Sequence, residues 1–229
     1  MPKFALARIA SIVGSIAVGL ILCDSPELRA DTQPHESPNL RRPVALVLSA
    51  DESRLYVANR DAGTVSTIDT DNSQVLSETK IGERLSDIVL IDDERLMATD
   101  AAAHQLIVLR IEDGELATSA RIDVSPYPQS IVLTSEATKA YVTSLWSRRV
   151  SVFDLSVRKK PQLITTIDLP FAPNKQLLVD DDQTLIVADN FAGRLAIVNC
   201  QSHKVIAVRE FFAENIRGLA VDPESKLLA

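Results

Sequence analysis

Cysteine, histidine, glycine and aromatic residues are all scarce in this sequence, and each scarcity removes a class of function. The two cysteines, Cys23 and Cys200, give no zinc-type ligand spacing and no Cys-x-x-Cys-His haem-attachment motif. The three histidines, His35, His104 and His203, are scattered, so no convergent metal set can be assembled from them. Seven glycines leave no room for a glycine-rich phosphate loop, and no Ser-His-Asp arrangement can be argued from the spacing. Basic runs are short: Arg41-Arg42, Arg148-Arg149 and Arg158-Lys159-Lys160. With a net charge of −7 there is no basic stripe to release counter-ions, which excludes nucleic acid as a partner. Aromatics make up 4% of the chain, so its core must be built from Val, Ile, Leu and Ala. No segment sustains a helical period.

Long apolar runs are also missing. The longest, Ile9 to Leu22, is 14 residues, short of the ~20 that span a bilayer. It follows Lys3 and Arg8 and precedes Leu28-Arg29-Ala30, a small-residue cleavage point. Residues 1–30 therefore read as an export signal, with no transmembrane span after its removal and a destination in the periplasm or at the cell surface. Lipidation at Cys23 is the competing reading, although Leu22 is larger than the residue usually found before a lipidated cysteine. Residues 31–42, with Pro34 and Pro38, read as a linker. Cys200, which ends the apolar run Leu195–Asn199, reads as a small buried hydrophobe.

What the chain does have is a repeat. Arg54 to Asp69 reads as strand, tight turn and strand, with a β-branched and aromatic run at Leu55-Tyr56-Val57 and turn residues from Asn59 to Gly63. Weaker copies follow, and Leu55, Leu96, Ala140, Leu185 and Leu227 stand 41, 44, 45 and 42 residues apart. Before each copy lies a strand apolar on both faces (Val44–Leu48, Ile88–Ile91, Ser130–Leu133, Gln176–Val179, Gly218–Val221), and after each a more polar outer strand. Four short strands per unit at this period predict an all-β fold, a β-propeller of four-stranded antiparallel blades. The expected units are blade 1 at 43–82, blade 2 at 83–125, blade 3 at 126–170, blade 4 at 171–213 and the start of a fifth at 214–229. Acidic groups such as Asp51-Glu52 and Asp92-Asp93 recur at one place in the repeat, so they read as turn formers, not as catalytic or calcium-binding carboxylates.

Leu55-Tyr56-Val57-Ala58-Asn59 with Gly63-Thr64-Val65-Ser66-Thr67-Ile68-Asp69 resembles the repeat of the YVTN family of β-propellers, exported or cell-surface proteins related to lactonase-like propellers. The resemblance covers Pro43 onward. It departs from the family pattern at Ala50 and Glu52, and at Met97 and Ile186, which stand in place of the Tyr. Family propellers close with about seven blades. Four blades and part of a fifth therefore read as an incomplete array, the N-terminal part of a longer protein.

In a propeller the second-to-third-strand turns and the blade-to-blade connections share one rim. The candidate binding residues there are Arg60, Asp61, Arg84, Asp87, His104, Tyr127, Trp146, Arg148, Asn190 and Arg217. Plainer roles stand beside these: His104 as an exposed turn residue, Trp146 packed on a neighbouring blade, and Arg84, Asp87 and Arg217 capping turns or pairing with one another. Three functions remain. The first is a binding scaffold for a protein or envelope ligand. The second is the propeller of an electron-transfer or oxidase protein, its haem carried in a c-type cytochrome domain beyond residue 229 and no cofactor within these residues. The third is a lactonase-like hydrolase.

Overall fold

The computed structural model describes residues 40–112, 114–157 and 160–222. The expected export signal, Cys23, most of the expected linker and the last seven residues lie outside them. Sixteen strands form four antiparallel sheets, each from four consecutive strands. The first sheet holds β1 (Pro43–Leu48), β2 (Arg54–Asn59), β3 (Thr64–Asp69) and β4 (Val75–Lys80). In the second are β5 (Leu85–Asp92), β6 (Arg95–Asp100), β7 (Gln105–Glu112) and β8 (Glu115–Asp123). The third comprises β9 (Pro128–Leu133), β10 (Lys139–Ser144), β11 (Arg149–Asp154) and β12 (Gln162–Asp168). The fourth comprises β13 (Pro173–Val179), β14 (Thr184–Asp189), β15 (Arg194–Asn199) and β16 (Lys204–Glu210). These are the blades of a propeller, and no helix occurs among the described residues. Beyond β16 only Val221 makes an isolated bridge, so no full strand forms over Gly218–Val221.

Three apolar layers hold the blades face to face. Tyr56, Ala58 and Val65 of blade 1 pack on Leu96, Ala98 and Leu109 of blade 2. The opposite face of those strands, Met97, Leu106 and Val108, packs on Ala140, Val142 and Phe153 of blade 3. Tyr141, Val150 and Val152 then meet Leu185, Val187 and Ala196 of blade 4. Adjacent residues of one strand thus serve different interfaces, which is why the inner strands are apolar on both faces. The outer strands β4, β8, β12 and β16 have one neighbour, and most of their residues are exposed or half-buried.

A bulge recurs in every blade between the third and fourth strands, at Thr67/Ile68, Val108/Leu109, Val152/Phe153 and Ile197/Val198. Its steps of 41, 44 and 45 residues repeat the spacing read from the sequence. An extra residue at a fixed point adds the same local twist to each blade. Because the strands alternate direction, the blade-to-blade connections and the second-to-third-strand turns gather at one end, here the top. The remaining turns form the bottom.

Candidate functional site at the top end

Each second strand climbs to the top and ends on a buried polar residue: Asn59, Asp100, Ser144 and Asp189. A buried polar group must find partners or it destabilises the fold, and these partners are the top loops and the adjoining third strands. The Asp100 carboxylate accepts the backbone N–H of Glu83 at 2.6 Å, and those of Arg84, Ala102 and Ala103 at 3.1 Å each. It therefore ties the connection between blades 1 and 2 to the turn carrying His104. Gly82 lies so close that a Cβ there would collide with the Asp100 carboxylate. Ser144 Oγ donates to Ser125 O at 2.9 Å, and Asn59 Nδ2 donates to Ser66 Oγ at 2.8 Å. Asp189 accepts the Phe191 N–H at 2.9 Å and Arg194 Nε at 2.7 Å, and the Arg194 guanidinium lies 5.2 Å from the centre of the Phe171 ring.

On these fixed loops stand three aromatic side chains in a row. Tyr127, in the connection before β9, meets Trp146, in the β10–β11 turn, with ring centres 6.1 Å apart. Trp146 stacks on Phe191, in the β14–β15 turn, at 6.3 Å with 29° between the planes. Trp146 is 62% exposed and Phe191 59%, so the faces are held in order but not covered. Beside them a cleft of about 330 Å³ is lined chiefly by Trp146, Arg148, Phe171, Asp189, Phe191 and Arg194. Trp146 thus touches Phe191 of the neighbouring blade while staying largely open to solvent.

A group of cations lies at the blade 1 side of this end. The Arg60 backbone N–H bonds Arg42 O at 2.9 Å, and the Asp61 carboxylate is 3.8 Å from the Arg42 guanidinium. Gly82, two residues before Arg84, donates to Gly63 O at 3.0 Å, which brings the Arg84 connection against the Arg60 turn. Burial, then the like charges of Arg42 and Arg84, hold the Arg60 pKa below its ordinary value, with Tyr127 and Asp61 close enough to oppose the shift. Arg60 Nε and Arg84 Nε are enclosed and meet no acceptor among the described residues.

The other sequence candidates have separate placements. His104 is exposed at φ 58°, in the turn position that Gly63 fills in blade 1. Its Nδ1 lies 2.9 Å from Ala101 O and 3.1 Å from the Tyr127 N–H, so it donates to the first or accepts from the second, not both. Asp87 leaves the rim: it lies on β5 and accepts the Ile131 N–H of β9 at 2.8 Å and its neighbour's at 3.0 Å. Burial pushes its carboxyl pKa up, against the hydrogen bond from Ile131 and the charge of Lys175. Asn190 anchors its turn through N–H to Ala172 O at 2.8 Å, and Arg148 and Arg217 are exposed. Arg42, Phe171 and the Asp189–Arg194 pair belong to this end although the sequence did not single them out. Among the described residues no cluster of His, Cys, Asp or Glu could hold a metal ion.

No protein-family model and no curated protein matches the chain. Solved structures do. Hydrazine synthase of Kuenenia stuttgartiensis is 19% identical with a TM-score of 0.74, over 86% of this chain and 57% of that one. A periplasmic gluconolactonase of Pseudomonas aeruginosa is 20% identical with a TM-score of 0.70, over 81% of this chain and 62% of that one. A 6-phosphogluconolactonase-like protein of Bacteroides fragilis is 15% identical at 0.69, again over 81% and 62%. The chain thus spans about three fifths of the length of these structures. What it shares with them is their fold, the lactonase-like β-propeller.

Proposed function

We propose that this chain is the ligand-binding propeller of an exported protein, and that its top end takes up a ring-bearing, sugar-type ligand. The observation that carries this reading is the row Tyr127–Trp146–Phe191: two ring contacts at 6.1 and 6.3 Å, with Trp146 and Phe191 open to solvent. Exposed aromatic faces held in register beside a cleft offer stacking area at little entropic cost. Trp146 is the single tryptophan of the chain, so its emission reports directly on this surface. Titration with glucose and with short glucose and N-acetylglucosamine oligosaccharides should give a saturable change in Trp146 emission. Phe191→Ala should weaken it about tenfold, the order expected when one stacking face is lost. Emission indifferent to every saccharide would overturn the reading.

A second reading, lactone hydrolysis, is favoured by the solved neighbours that are lactonases by name. Fold likeness alone is a weak ground for activity, and the test is direct. Gluconolactone consumed faster than its spontaneous rate, with loss of that excess in His104→Ala and Arg148→Ala, would establish it; rates equal to the spontaneous one would remove it.

A further inference from the structure

The half-buried arginines of this chain divide into two groups. Arg54 pairs with Asp69 at 2.7 Å, Arg95 with Asp92 at 2.7 Å, and Arg194 with Asp189. Arg60 and Arg84 have no carboxylate and no hydrogen bond from their side chains among the described residues, and the Nε of each is enclosed. A guanidinium taken partly out of water without an acceptor destabilises the protein that carries it, and two facing each other do so more. The Asp61 carboxylate lies 3.8 Å from Arg42, and the Asp100 carboxylate is taken up by backbone N–H groups, that of Arg84 among them. This happens in a chain of net charge −7, where carboxylates are plentiful. Asp100 ties the Arg84 connection to the His104 turn, and His104 Nδ1 lies 3.1 Å from the Tyr127 N–H, so the cations and the aromatic row stand on joined loops of one end.

We infer that Arg60 and Arg84, with Arg42 beside them, form a site for the oxyanion of the ligand, a carboxylate or phosphate carried on the ring compound that stacks on Trp146. The inference rests on the binding reading above and narrows it from sugars to acidic sugars. Guanidinium groups match both oxyanions through paired N–H donors, and an anion held by their terminal Nη groups would offset the charge of two side chains that are half-buried without a carboxylate.

The test uses the full chain with glucose, glucuronate, glucose 6-phosphate and inorganic phosphate, each followed by calorimetry and by Trp146 emission. Glucuronate or glucose 6-phosphate should bind at least about tenfold more tightly than glucose, since charge-assisted hydrogen bonds are worth that much. The preference should weaken with salt. Whichever acidic sugar gains more identifies the oxyanion as carboxylate or phosphate. Arg60→Gln and Arg84→Gln should each erase the gain while leaving glucose binding intact. Arg209→Gln, on the outer strand β16, should change nothing. A thermal melt guards against misfolding: without ligand, Arg84→Gln should melt no lower than the parent, and the acidic sugar should raise the melting temperature of the parent more than that of the variant. Equal affinity for glucose and the acidic sugars, with Trp146 responding to all, would overturn the oxyanion site and leave the aromatic surface standing. Binding of inorganic phosphate that needs both arginines, with Trp146 silent to every sugar, would do the reverse. No binding of any probe would overturn both.

Discussion

At the bottom of the blades, carboxylates and amides close turns one at a time. Asp51 accepts Ser49 Oγ at 2.6 Å and the Ser53 N–H at 3.1 Å; Asp69 accepts the N–H groups of Asp71 and Asn72; Asp154 accepts that of Ser156, and Asn199 that of Ser202. Each of these bonds stays within two or three residues, and the groups are exposed or half-buried. At the top, the same residue types reach across the chain: buried Asp100 draws on two loops 18 to 20 residues apart, and below the rim half-buried Asp87 joins β5 to β9. Most of the bottom turns are self-contained, with Asp182 bonded to Ser135 of the neighbouring blade and Asp69 also paired with Arg54, whereas the top carries a scaffold on which unpaired cations and uncovered rings are held in place. That contrast, and not acidity as such, is why the top is the end proposed to bind the ligand.

The sharpest way to break the contrast is to remove one carboxylate from each end. Asp100→Ala leaves four backbone N–H groups of two loops without their acceptor and should cost about 3 kcal/mol or more, read from the denaturant midpoint. Asp154→Ala opens one exposed turn and should shift the midpoint by only a small fraction of that. Equal shifts would mean that the two ends do not differ in the way the hydrogen bonds indicate.

The blades were legible in the sequence because each central strand must be apolar on two faces, and only a code repeated along the chain does that for four sheets in a row. The acidic turns were legible because they are local: Asp51 and Asp69 find their partners within a few residues. Scarcity made Trp146 conspicuous, and loop position pointed to Arg60 and Arg84. What the sequence could not convey is long-range. Arg60 and Arg84 stand 24 residues apart, and their nearness depends on the Gly82–Gly63 contact. Arg194 is five residues from Asp189 but meets it only because β14 and β15 pair antiparallel across the turn. Asp87 was placed with the rim connections, yet a register shift between Leu85 and Asp87 accompanies its place on β5 and its bond to β9. A bulge of that kind reassigns side chains along a strand and leaves no mark in composition.

Asp87 offers a second way to sharpen the contrast, through pH. Its carboxyl pKa is raised by burial, so the folded chain holds that proton more tightly than the unfolded one. The associated stability is present at acid pH and falls as pH rises from the ordinary carboxylate value through the raised one. Asp87→Asn keeps an acceptor for the Ile131 N–H and cannot ionise. Measured by denaturation across the acid range, the parent should lose ground to the variant as pH rises and be no more stable than it at neutral pH. A difference that does not change with pH would show that the carboxylate between β5 and β9 is as well solvated as those at the bottom.

Asp51 should show the opposite sign and the smallest effect. The Ser49 hydroxyl, then the Ser53 N–H and hydroxyl, hold its pKa down at about 2 from an ordinary 3.8. Its contribution is therefore present above the ordinary value and disappears only as pH falls through about 2. Because the group is fully exposed, stability is a poor reporter and the titration itself is the better one. Followed by carboxyl NMR, Asp51 should titrate near 2, and Ser49→Ala, which removes the largest cause, should move the midpoint up towards 3.8. A midpoint unmoved by that substitution would leave the Ser53 contacts as the whole of the turn. One near 3.8 in the parent would mean that the bottom turn does not hold its carboxylate at all.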